Sequence, residues 1–276
     1  MKSFIKTALL LGLTVLVPPL RAQTDVDLDA EVGARLSLGV DKKLAKGLHL
    51  TLEEELRLDN NFGSFDRLQS TVALAYKLNR HLKVGLGYAL INGYSASASA
   101  FKSARHRLML DVKGTVNRGQ WNFSLRERLQ MTHRTGDFNT YQNPANAWML
   151  KSRLMAKYKG FGRLAPFAAV ELRHYLNAPV IVARYDGTNY LTESNSTTGD
   201  PGWFLDGFNG FYLNRVRGTV GLDLKLDKHH ALTFCLMADR TDDRVVDANA
   251  EGTKLKSYMR ERGFAGWLTA GYEFSF

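Results

Sequence analysis

The stretch Asp25-Val26-Asp27-Leu28-Asp29-Ala30-Glu31-Val32-Gly33-Ala34-Arg35-Leu36-Ser37-Leu38-Gly39-Val40 decides how the chain is read. Every even-numbered position is apolar, and every odd one is charged, glycine or serine. A β-strand sends successive side chains to opposite faces, so this is a strand with one oily side and one polar side. Sixteen residues extend about 50 Å at roughly 3.3 Å each, whereas ordinary strands run about five or six residues. Such length asks for a special setting.

The same alternation returns along the chain. Leu48, Leu50, Leu52, Leu56 and Leu58 interleave with His49, Thr51, Glu53, Glu55, Arg57 and Asp59. Leu68, Val72, Leu74, Tyr76 and Leu78 follow, then Leu82, Val84, Leu86, Tyr88 and Leu90. Further strands are expected near 104–116, 120–133, 147–158, 164–175, 211–226, 230–240 and 264–276. Connections alternate between short (41–47, 79–81, 117–120, 159–163, 227–229) and long (60–64, 95–101, 135–146, 177–209, 241–262). No 3.6-residue periodicity competes, and no linker divides the chain. Hairpins with tight turns at one end and long loops at the other describe an all-β, up-and-down antiparallel barrel in one domain, 23–276. Eleven strands are legible. Single-chain bacterial barrels carry even numbers, so about twelve are expected, within ten to twelve.

Residues 1–22 read as a separate object. Lys2 and Lys6 make a basic start, Ala8–Val17 is a ten-residue apolar core, and Pro18-Pro19 breaks it before Ala22. That is the pattern of a cleaved secretory signal peptide, too short to span a bilayer. Its loss would remove Lys2, Lys6 and Arg21 and lower the formal charge of +10 by three. An exported basic chain has nucleic acid excluded as a partner and anionic lipid or acidic solutes favoured. The lone Cys235 rules out an internal disulfide framework. The mean hydropathy of −0.24 looks soluble, but interleaved faces hide the apolar one from any average.

Alternation alone leaves open whether oil faces inward or outward. Four features choose outward. Most strands run twelve to sixteen residues, where a tilted membrane crossing needs about nine to eleven. Aromatics gather at two levels of the apolar face: Tyr76, Trp121, Tyr158 and Tyr272 near the short turns, and Tyr88, Trp148, Tyr212 and Phe264 near the long loops. The other face carries mid-strand charges of both signs: Glu53, Glu55, Arg57, Arg105, Arg107, Arg126, Arg128, Arg153, Glu171, Arg173, Arg215 and Arg217. These are expected to pair across a lumen. The chain also stops on an aromatic strand whose Tyr272, Phe274 and Phe276 look like a membrane-insertion signal. The expectation is a monomeric transmembrane barrel in the outer membrane, contacting lipid and lipopolysaccharide and met by barrel-assembly machinery during insertion. Glu54 and Glu127 break the apolar face, and local bulges are expected to turn them inward.

From Leu52-Glu53-Glu54-Glu55-Leu56-Arg57 onward the chain resembles an uncharacterised family of Gram-negative outer-membrane barrels. Gly85-x-Gly87-Tyr88, Arg126-x-Arg128, Val170-Glu171-Leu172, Arg215-x-Arg217 and Phe276 continue the likeness along the mature chain. The resemblance implies fold and membrane without an activity, and the 177–209 insertion looks longer than the family pattern.

Catalytic and metal chemistry finds little support. His106 and His174 lie on the apolar face near the long loops, the level of an outer-leaflet phospholipase- or lipid A-modifying site, with Ser103 and Ser152 the nearest serines. No G-x-S-x-G, H-E-x-x-H or paired-cysteine spacing occurs. Asp25, Asp27, Asp29 and Glu31 share a face about 6.6 Å apart and suit a hard cation, or pairing with lumenal arginines. Asp239, Asp242 and Asp243 read as solvated loop residues. The expected role is non-enzymatic, with no cofactor or metal: a narrow pore, or a structural or binding protein with an Arg/Glu-lined lumen. The alternative is the lipid-modifying enzyme.

Overall fold

A computed structural model describes residues 24–136, 138–185, 190–191, 203–250 and 255–276. The expected signal peptide lies outside these residues. The strands are β1 (Thr24–Asp27), β2 (Glu31–Ala45), β3 (Leu48–Asp59), β4 (Ser64–Lys77), β5 (Leu82–Ser95), β6 (Ala100–Phe101) and β7 (Arg105–Arg118). They continue with β8 (Trp121–Arg134), β9 (Asn146–Tyr158), β10 (Leu164–Tyr185), β11 (Tyr190–Leu191), β12 (Trp203–Lys225), β13 (His230–Ala248) and β14 (Leu255–Ser275). The sheet order β2-β3-β4-β5-β7-β8-β9-β10-β12-β13-β14 closes because β14 also pairs with β2. That is an eleven-strand barrel, within the expected ten to twelve. No twelfth wall strand occurs among the described residues. An odd number leaves the first and last strands running the same way, so the closing pair is parallel: Ala265 lies beside Glu31 and Ser275 beside Asp41.

The short turns obey local chemistry. Gly47, Gly119 and Gly162 take positive φ values of 80°, 59° and 65° in three of them, a conformation glycine adopts without a Cβ penalty. Asp227 caps another by accepting N–H bonds from His229 and His230 at 2.7 and 2.8 Å.

Oil faces outward. Leu38 is 66% exposed and Leu86 61%, with Leu110, Leu154, Val170, Val220 and Leu236 presented in the same way. The opposite face is buried at Arg35, Gln69, Gln130, Glu171, Arg215, Arg217 and Asp239. Apolar exposure that surrounds the whole barrel far exceeds the few hundred Å² usual for a patch on a water-soluble monomer.

Four local expectations change. The sixteen-residue opening strand is broken after Asp27: Asp27 pairs with Arg262 but Glu31 with Ala265, so four steps on one side match three on the other. Its acidic residues are exposed, and Asp25 pairs at 2.6 Å with Arg262 on the extended end of β14 rather than with a lumenal arginine. Glu54 and Glu127 sit in unbroken register, opposite Leu38 and Ser70, and opposite Val112 and Ser152. No bulge turns them inward. Each accepts a serine hydroxyl instead, Ser70 to Glu54 at 2.8 Å and Ser152 to Glu127 at 2.6 Å. Tyr212 is the converse case. The register shift at Arg173/His174 leaves Asn214 as an extra residue and turns Tyr212 inward, stacked on Tyr175 at 6.0 Å. Finally, 177–185, 203–209, 241–248 and 255–262 are strand rather than loop, so two hairpins run well past the wall.

Candidate functional site

Residues on one face of neighbouring strands line up in rows along the hydrogen-bonding direction, and two rows dominate the lumen. In the first, Asp111, Arg128, Lys151, Arg173 and Arg215 stand side by side on β7, β8, β9, β10 and β12. In the second, Lys113, Arg126, Arg153, Glu171, Arg217 and Asp239 do the same and reach β13. On the far wall Arg35, Arg57 and Arg67 are consecutive neighbours on β2, β3 and β4. Toward the long-loop mouth Arg105 stands directly opposite Arg134.

Directly opposed like charges destabilise a sheet, so the counter-charges matter. Arg217 grips Asp239 through two bonds of 2.5 Å, and Arg128 grips Asp111 at 2.7 and 2.8 Å. These are fork-to-fork pairs, the strongest geometry available to a guanidinium. Glu171 is shared by Arg215 at 2.8 Å and Arg126 at 3.4 Å, Arg57 takes Glu55 at 2.5 Å, and Lys157 meets Asp223. More cations than acids are then left. Arg35, Arg105, Arg107, Lys113, Arg134, Lys151 and Arg153 form no ion pair with a described residue. Arg107 reaches only neutral acceptors, Thr132 at 3.1 Å and Gln69 at 3.3 Å, and Arg173 bonds Asn214. Buried donors are also left over: the Nε of Arg35, Arg126, Arg134 and Arg215, and Nε1 of Trp267, have no partner among the described residues. The lumen carries more cations than carboxylates, and one buried acceptor, Gln130 Oε1, is left over beside these donors.

All twelve charged residues named from the sequence stand on this inward face. Glu53, Arg105, Arg107, Arg153 and Arg173 form no ion pair with a described residue. Reading by pattern passed over Lys151, Lys157, Asp223 and Trp267, and it placed Asp239 and Asp243 in solvent. Asp239 is 4% exposed inside the barrel, and Asp243 accepts from Asn214. The signal for Asp239 was present: it and Arg217 are equally far from Lys228, the middle of their hairpin turn.

The histidines do not assemble a site. His106 bonds the Tyr88 hydroxyl at 2.6 Å and His174 stacks flat on Phe211 at 5.3 Å. His106 aligns through His133 with Asn146, whereas His174 aligns with Leu150 on the same strand, so they stand two rows and three strands apart. Ser152 serves Glu127. Among the described residues no group of three His, Cys, Asp or Glu could hold a metal ion.

Residues 33–189 match the model of a family described as "Protein of unknown function (DUF2490)". The chain belongs to this family. The DUF2490 match takes in the acidic triplet, the Arg126-x-Arg128 pair and Glu171, while Arg215-x-Arg217 and Phe276 lie beyond it. Among solved structures, the NanC porin is similar, with a TM-score of 0.40 and 13% identity over 82% of this chain and 92% of that one. The comparison with curated proteins returns no match.

Proposed function

We propose that this DUF2490 barrel is a narrow outer-membrane channel favouring small anionic solutes. One observation carries the reading: like-charged side chains are consecutive neighbours along stretches of the lumen wall (Arg128, Lys151, Arg173 and Arg215; Lys113, Arg126 and Arg153; Arg35, Arg57 and Arg67), with too few carboxylates to neutralise them. A sheet bears such rows only if something else supplies negative charge, and mobile anions entering from water do so. Rings of arginine and lysine select anions by the same means in other pores. The fork-to-fork pairs set the wall's shape, and the unpaired cations set its selectivity.

The bilayer reading rests on the apolar girdle and on aromatic belts at its edges, with Tyr76, Trp121 and Phe161 at one end and Trp148, Phe211 and Phe264 at the other. In this arrangement the short turns face the periplasm, the long hairpins face outward, and lipid and lipopolysaccharide surround a monomer. Tyr272, Phe274 and Phe276 serve as the signal read by the barrel-assembly machinery.

Planar-bilayer recording in a KCl gradient tests the reading. The expected result is small conductance steps with a reversal potential on the chloride side. Arg107→Glu together with Lys151→Glu shifts that potential toward potassium. Cation selectivity in the unaltered protein, or no conductance at any voltage, removes the channel.

A further inference from the structure

At the parallel seam three buried polar atoms without partners belong to neighbouring residues: Arg35 Nε, Trp267 Nε1 and Thr269 Oγ1. Arg35 and Thr269 are directly opposed across the β2–β14 pair, and Trp267 lies opposite Gly33, one inward position along. The guanidinium of Arg35 sits 4.3 Å from the centre of the Trp267 ring, and Arg35 is only 5% exposed. Gly33 makes room for that ring, since a Cβ there would meet Trp267 at 2.5 Å. The indole therefore holds the arginine, and the missing Cβ at Gly33 holds the indole.

Buried donors in native proteins nearly always find an acceptor. Arg35 has no carboxylate partner, and its neighbour Arg57 is already engaged with Glu55. An oxygen atom set with negative charge can accept from both N–H groups and from the hydroxyl. One water accepts only two hydrogen bonds, whereas one carboxylate offers about four lone-pair sites.

We propose that Arg35, Trp267 and Thr269 form a seat for a small oxyanion on the lumen wall, taking the carboxylate or phosphate oxygens of a solute in transit. The seat deepens the channel reading and rests on it, because a ligand reaches the seam only through a wet lumen. Guanidinium supplies charge, indole and hydroxyl supply direction, and chloride engages them less well than a planar or tetrahedral oxyanion does.

The indole also supplies the readout: of the four tryptophans Trp267 borders the seat while Trp121 and Trp148 face outward, and the Trp267→Phe variant separates its emission from the rest. The whole barrel in vesicles is titrated with sodium phosphate and with sodium acetate, against sodium chloride at equal ionic strength, and tryptophan emission is followed. Saturable changes are expected with one or both oxyanions, the responding one naming its source. The signal vanishes in Trp267→Phe, Arg35→Gln abolishes binding, and Thr269→Val raises the half-saturating concentration about tenfold, the loss of one charge-assisted hydrogen bond. Arg35→Lys keeps part of the response. Each variant is first checked for the heat-dependent gel shift of a folded barrel. No saturable change, or one that survives in both Arg35→Gln and Thr269→Val, means that only water fills the seat and overturns the proposal. A saturable response without conductance removes the channel and keeps the seat; anion-selective conductance without a response does the reverse.

Discussion

Glu54 offers the sharpest test of which side of this wall meets lipid. It lies six residues beyond Leu48, about 20 Å along the strand and about 15 Å along the axis for a tilt of roughly 40°. That is the middle of an apolar band about 25 Å tall. Leu52 and Leu56 flank it on its own strand, and Leu38 faces it from β2. A basic side chain at the midplane costs about 2–4 kcal/mol and an acidic one somewhat less, so about 2 kcal/mol is a fair figure for Glu54. Replacing it with leucine recovers that amount and leaves the Ser70 hydroxyl without its acceptor, a loss of about 1 kcal/mol. Glu54→Leu is therefore expected to stabilise the barrel by about 1 kcal/mol, and Glu54→Leu with Ser70→Ala by about 2 kcal/mol. Glu127→Leu, opposite Ser152, gives a second and independent reading of the same quantity. Reversible urea unfolding from lipid vesicles, followed by tryptophan emission, measures it as a shift of the midpoint at constant slope. A water-soluble barrel with its exterior in buffer would gain nothing from either change. Unmoved or lowered midpoints for both leucine variants would refute the orientation of the wall.

Two further outcomes follow from particular contacts. Asp239→Asn leaves Arg217 buried without its bidentate partner and is expected to destabilise by about 3–5 kcal/mol in the same assay, with Asp239→Leu plus Arg217→Met restoring most of the loss. Asp227, in the β12–β13 turn, is held below the ordinary carboxylate value of 3.8 by the N–H bonds from His229 and His230. Its contribution to the turn is complete above that ordinary value and is lost only as pH falls through the lowered one. The side-chain carboxyl signal of Asp227 is thus expected to titrate with a midpoint below pH 3.8, and Asp227→Ala removes it.

The fold was legible because period-two alternation is unambiguous when it lasts a dozen residues, and every wall strand except the ends of the long hairpins satisfies it. It failed where its premise fails. Residues 177–185 and 241–248 pair as strands beyond the apolar girdle, where neither face needs to be oily, so Pro179, Asp242 and Asp243 looked like loop. Tyr212 was misplaced because a single extra residue, Asn214, inverts every side chain beyond it, and a bulge leaves no mark in composition. Glu54 and Glu127 are the opposite case: the strand keeps its register without a bulge, and a serine across the strand pair donates to each carboxylate instead. Ser70 and Ser152 stand opposite them only once the register is known. Parity puts the twelve charges named from the sequence on one face of their strands. The like-charged rows were not readable this way, because they depend on register between strands rather than on order within one.

Register also explains why the seam stands apart from the rest of the barrel. With eleven strands, β2 and β14 run the same way, and parallel pairing is slightly weaker per residue than the antiparallel pairing found elsewhere in the wall. Two features offset that weakness. β1 adds a second parallel stretch beside β14, from Thr24 opposite Met259 to Asp27 opposite Arg262. Trp267 covers Gly33 from inside, and Arg35 stacks upon it, so an aromatic ring bridges the two strands where their hydrogen bonds are slanted. Arg35 is thereby held on the indole, while Arg217 and Arg128 are held by carboxylates on adjacent strands. One indole lying across one glycine therefore both bridges the parallel seam and holds Arg35 in place on the lumenal side.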